Sequence, residues 1–215
     1  MFVADIMTHN PVTIHPDVPV TEAQVLMRRE HVHRLPVIDH HGKLVGIISD
    51  KDLLNVTPSV ATTLDMYEMT SLLSQLRVEK IMTRKIICAN EDTLIEEAAR
   101  LMADHDIGGL PVVKSDNSVV GIITESDVFH LFIEMFGSRR KGLRITLLVP
   151  QKQGELAALA GAISARGGNI IAFGTAPGTD STNAICVMKL EGISREVAIE
   201  LTKPLVIEIK DMREV

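Results

Sequence analysis

The chain has 215 residues, 46% of them apolar and only 3% aromatic, with no Trp and a formal charge of −6. Such a length and apolar share fill one to three modest cores packed by Ile, Val, Leu and the ten Met. The acidic balance excludes a basic face for nucleic acid, and no apolar run approaches the ~20 residues of a membrane span.

The opening residues Met1-Phe2-Val3-Ala4-Asp5 carry no signal-peptide pattern, and Cys88 and Cys186 form no metal or redox motif. Both thiols fall in strand-like runs and read as buried. A reducing, cytoplasmic setting is expected, without membrane or nucleic-acid partners.

Residues 11–15 read as a short extended segment between prolines. A helix is expected from Thr21, whose hydroxyl is placed to cap it, with Ala23, Leu26 and Met27 on its buried face. Residues 35–38 and 44–48 are β-branched runs joined by a turn bearing Gly42, and a second helix is expected from Ser49 or Asp50 through Leu54. The same order then returns. The shift that carries Met7 onto Met82 also carries Leu35-Pro36-Val37 onto Leu110-Pro111-Val112, Gly46 onto Gly121 and Asp52 onto Asp127. A fixed register held over roughly fifty residues means two copies of one supersecondary unit. In the second copy Asp92 precedes a helix faced by Ile95, Ala98, Leu101 and Met102. Strands follow at 110–113 and 119–123, and a last helix runs from Thr124 towards Met135.

Residues 55–77 join the copies, and Leu64, Met66, Met69, Leu72, Leu73 and Leu76 suggest a connecting helix. Residues 138–142 form a short basic linker after Gly137. Beyond it the pattern reads strand 143–149, helix 155–165, strand entry 167–171, strand 183–190, helix 195–201 and strand 205–209. That order is βαββαβ, an antiparallel sheet with two helices on one face.

His33-Arg34-Leu35-Pro36-Val37-Ile38-Asp39, Gly46-Ile47-Ile48-Ser49-Asp50-Lys51-Asp52 and Gly121-Ile122-Ile123-Thr124-Glu125-Ser126-Asp127 resemble the words of a CBS domain. The resemblance implies an α+β fold in which two pseudo-symmetric repeats, 1–77 (with the connecting helix) and 78–137, form a CBS pair. Such pairs commonly bind adenosine nucleotides. The tail, 143–215, resembles an ACT domain through Gln153-Gly154-Glu155-Leu156 and Gly168-Asn169-Ile170, which implies an amino-acid ligand or an assembly surface. The order CBS, CBS, ACT is similar to the bacterial acetoin-utilisation accessory protein family.

An adenylate offers a flat base, a ribose diol and an anionic phosphate. Carboxylates accept from the diol, while hydroxyls, helix N-terminal amides and Arg donate to phosphate. Carried over from the family, the main site joins Thr124, Ser126 and Asp127 of one copy to Val12, Thr13, His33, Arg34 and Pro36 of the other. The second site keeps Ser49 and Asp52, has Lys51 in place of a hydroxyl, and presents Ile87 and Cys88 along the base. Gly108-Gly109 stand where His33-Arg34 stand in the first, so this second site is expected to be weak, altered or empty.

Bland readings exist for the same residues. Asp52 and Asp127 also suit helix starts, Arg34 suits a surface ion pair, and Gly154 suits a turn. His31, His33, His40 and His41 lack acidic or thiol partners at ligand spacing, so no metal is expected. No nucleophile or phosphate-loop motif is present. The expectation is a non-enzymatic regulator binding AMP, ADP or ATP, self-associating as a homodimer or larger, with a regulated enzyme as a further partner. The alternatives are an oligomeric scaffold with unoccupied clefts and a small nucleotide-acting enzyme.

Overall fold

The first repeat contributes strand β1 (Thr8–His9), helix α1 (Val20–Glu30), strands β2 (Arg34–Ile38) and β3 (Leu44–Ser49), and helix α2 (Asp50–Val56). The second contributes α3 (Ile95–His105), β4 (Gly109–Val113), β5 (Val119–Thr124) and α4 (Glu125–Met135). These elements come from a computed structural model that describes residues 1–56 and 75–215. The apolar stretch expected to form the connecting helix therefore lies largely outside the described residues.

Helix α1 begins at Val20, one residue ahead of the expected Thr21, and its N-cap position is Pro19, with no side-chain cap. The free amide at its start is satisfied by backbone instead: Val20 N donates to Leu76 O at 2.9 Å. Helix α3 repeats the device, with Leu94 at the N-cap position and Ile95 N donating to Met1 O at 3.4 Å. Asp92 does not cap it. A carbonyl delivered by a segment distant in the chain does the work that sequence patterns assign to a neighbouring hydroxyl or carboxylate.

Those carbonyls belong to exchanged segments. Val3 and Met7 open the first repeat in sequence, yet they pack in the core of the second with Ala98, Met102, Leu110, Val112 and Ile123. Val78 and Met82 open the second repeat and pack in the core of the first with Ala23, Met27, Leu35, Val37 and Ile48. The strand β1 pairs with β5 rather than with its own repeat, and Thr83 makes the matching bridge to Ile47. The two hairpins also meet at their turns, where Leu44 N donates to Asn117 O and the Lys43 ammonium pairs with Asp116 at 2.6 Å.

By packing, the chain divides into two units, Met1–Val128 and Phe129–Val215. The second contains β6 (Leu143–Pro150), α5 (Glu155–Ala165), β7 (Asn169–Pro177), β8 (Asn183–Glu191), α6 (Arg195–Thr202) and β9 (Glu208–Glu214). Its four strands form one antiparallel sheet in the order β7-β8-β6-β9. Alternate residues Leu143, Ile145, Leu147 and Val149 face Leu159, Ile163 and Ala198 of the helices. The last strand lies further along than the expected 205–209. Leu205 and Val206 pack on the core ahead of the strand, and Met212, opposite Ile145, is the residue the strand buries. An edge strand needs only one buried row, so its polar content hid it from an apolar-run search.

Candidate functional site

In each repeat the turn from the second hairpin strand into the following helix is fastened by one carboxylate. Asp127 Oδ2 accepts from Thr124 N at 2.8 Å and from Thr124 Oγ1 at 2.7 Å. Asp52 Oδ2 accepts from Ser49 N and Ser49 Oγ at the same two distances. The acid therefore satisfies the helix start, as the bland reading of the sequence has it, and holds the hydroxyl-bearing turn in place. The other oxygen, Oδ1, accepts no hydrogen bond in either residue among the described residues.

Two open cavities flank these turns. The first, of about 460 Å³, is walled by Asn10, Val12, His33, Arg34, Thr124, Glu125 and Ser126, among others. Five residues named from the sequence for the main site (Val12, His33, Arg34, Thr124 and Ser126) thus share one cavity. Asp127 stands behind Thr124, off the wall. Thr13 lines a different cavity with His15 and Val25. Pro36 is buried within β2.

The second cavity, of about 400 Å³, is lined by Ser49, Lys51, Asp52 and Ile87, and by Thr83, Lys85, Asp106 and Gly109. Cys88 lies off its wall, half-buried, and burial raises its thiol pKa above the ordinary value. Thr83 and Lys85 were missed by the reading of the motifs. The repeat register could have found them, because they stand where Thr8 and Asn10 stand in the first copy.

Arg34 belongs to both cavities. Its guanidinium lies over Gly108 and Gly109, and a β-carbon on either glycine would overlap its terminal nitrogens. The missing side chains at 108 and 109 are therefore what seat Arg34 at the boundary between the clefts. The expectation that Gly108-Gly109 leave the second cleft without a guanidinium is corrected by this contact: the same arginine serves that wall. Burial pulls the Arg34 pKa down, and the nearby carboxylates of Glu125 and Asp50 act against it. It stays a cation at neutral pH. Among the described residues it makes no hydrogen bond and no ion pair. His33, by contrast, is exposed and engaged with Asp50, Nδ1 to Oδ2 at 3.0 Å.

In the second unit Glu155, the first residue of α5, is 5% exposed, and its Oε1 has no hydrogen-bond partner among the described residues. Its other oxygen lies 3.4 Å from the Lys152 ammonium. Gly154, the N-cap, has a φ of +85°, so the loop before the helix requires glycine there. The neighbouring Gln151 lines a separate open cavity with residues 175–184.

Comparison with known proteins places this geometry. The CBS domain family matches twice, at residues 3–59 and 78–134. The L-aspartate semialdehyde sulfurtransferase of Methanocaldococcus jannaschii is 36% identical over 130 residues, which is 60% of this chain but 23% of that enzyme. This chain thus spans about a quarter of that relative, and the likeness is to one module of it. Among solved structures, CBSX2 of Arabidopsis thaliana in complex with AMP is 33% identical with a TM-score of 0.51. The match covers 65% of this chain and 98% of CBSX2. A structure described as a putative acetoin utilization protein (AcuB) from Vibrio cholerae is 29% identical with a TM-score of 0.53, covering 65% of this chain and 95% of that one. With two matched copies that exchange their opening segments around a pair of clefts, this chain belongs to the CBS domain family and carries its domains as a tandem pair.

Proposed function

We propose that this chain is a non-enzymatic regulatory protein that binds an adenine nucleotide in the first cleft of its CBS pair, with AMP as the leading ligand. One observation carries the reading. A half-buried guanidinium without a hydrogen-bond partner among the described residues faces a cavity that also holds the hydroxyls of Thr124 and Ser126 at the start of α4. A phosphate fits that end, where the Ser126 hydroxyl and Arg34 converge beside the Thr124 turn, whose own hydroxyl proton goes to Asp127. Val12 and Ile122 offer apolar wall to a base. Asp127, off the wall, supports the site by holding the Thr124 turn in place. The AMP complex of CBSX2 supports the choice of ligand.

Titration calorimetry with AMP, ADP, ATP and adenosine tests it, alongside thermal unfolding. A ligand at a hundred times its dissociation constant adds about 2.7 kcal/mol of stability. No heat and no shift with any of the four would favour the second reading, an oligomeric scaffold whose clefts stay empty. Turnover of a nucleotide that is lost in Asp127→Asn would instead favour an enzyme.

The βαββαβ unit is read as an ACT-like sensor of an amino acid or as an assembly surface, supported by the strand order β7-β8-β6-β9 and by the orphaned Glu155 oxygen at a helix start. Self-association, a cytoplasmic setting, a regulated enzyme partner and a link to acetoin or related carbon catabolism complete the proposal. The last rests on likeness to the Vibrio cholerae protein. No helix among the described residues is long and apolar enough to cross a membrane.

A further inference from the structure

Repeat symmetry calls for two cations, one per cleft, at positions 34 and 109. The second position holds glycine, and the chain has one guanidinium lying across both places. Arg34, Gly108 and Glu125 line each cavity, so these three residues are the partition between them. Asp50 and Glu125 occupy matching positions in the two repeats, and both act on Arg34. Neither holds it by an ion pair. Arg34 is therefore a charge seated on the partition, paired to neither carboxylate and open to both clefts.

We infer that the two clefts compete for Arg34. An anionic ligand engaging the guanidinium from one cleft withdraws it from the other, so occupancy of one weakens anion binding at its neighbour. The inference rests on reading the clefts as nucleotide sites and adds their coupling. Lys51 and Lys85 give the second cleft cations of its own, so its affinity falls rather than vanishes when the first is filled. Two sites are coupled when both bias the arrangement of a group they share, and Arg34 is such a group.

The test is calorimetric titration of the full chain with AMP, in wild type and in Arg34→Gln. In wild type the second AMP should bind at least about tenfold more weakly than the first, within the usual range of site-to-site coupling. In Arg34→Gln the first step weakens and the gap between steps closes to about threefold or less, because no shared charge remains to be contested. Two AMP binding wild type with equal affinity would overturn the inference, whatever the variant does. So would a gap that survives unchanged in Arg34→Gln, since it would then arise from unlike clefts alone. Failure of wild type to bind AMP at all sinks the nucleotide reading and the coupling together, whereas two equal sites sink the coupling and leave that reading standing.

Discussion

Arg34 and Asp127 were paired in the sequence reading as two grips on one ligand, and the structure gives them different work. Arg34 faces the cavity with its hydrogen-bonding capacity unused among the described residues. Asp127 already accepts two hydrogen bonds from Thr124. Arg34→Ala should therefore weaken AMP binding by about 1.5–3 kcal/mol, the worth of a hydrogen bond to a charged group, with little change in the melting of the free protein. Asp127→Ala should lower stability by about 1–3 kcal/mol even without ligand, because it leaves a turn amide and a hydroxyl unsatisfied. Melting curves of the two free variants separate these outcomes. Cys186, fully buried in the second unit, has its thiol pKa pushed up to about 11 by burial. The folded pKa lies above the unfolded one, so the stabilisation is present below about pH 8.5 and is lost as pH rises towards 11. Denaturant midpoints should fall across that window in wild type, and less so in Cys186→Ser.

At the scale of elements, the glycine of each Val-Gly-Ile-Ile strand marks where the exchanged methionine crosses. A β-carbon on Gly46 would overlap the Met82 side chain, and one on Gly121 would overlap Met7. Gly46→Ala is expected to destabilise by about 1–3 kcal/mol through overpacking. With Met82 cut back to Ala in the same chain, Gly46→Ala should cost less than it does alone, measured as a double-mutant cycle in urea. Helix and strand positions in the repeats were legible because apolar periodicity decides them. Helix starts were not, since Thr21 and Asp92 look like caps while the amides are met by Leu76 and Met1 carbonyls. In the tail, β9 was placed too early because its apolar lead-in, Leu205-Val206-Ile207, is not the strand itself.

At the scale of the whole molecule, the first unit is one interlocked pair rather than two beads. Met7→Ala should cost roughly 2–5 kcal/mol as a large-to-small core change. The loss should speed amide exchange in β4 and β5, in the second repeat, more than in β2 and β3. Faster exchange confined to the first repeat would show that the exchange of segments is not what holds the pair. The sequence by itself determined the repeat, the order of its helices and strands and the residue types gathered at each turn, because short-range periodicity is local. Only the tertiary structure decided which repeat owns Val3, Met7, Val78 and Met82, and that one arginine fills the room left by two glycines. Those outcomes depend on which surfaces meet across a pseudo-two-fold axis, a relation between residues far apart in the chain that no local pattern encodes.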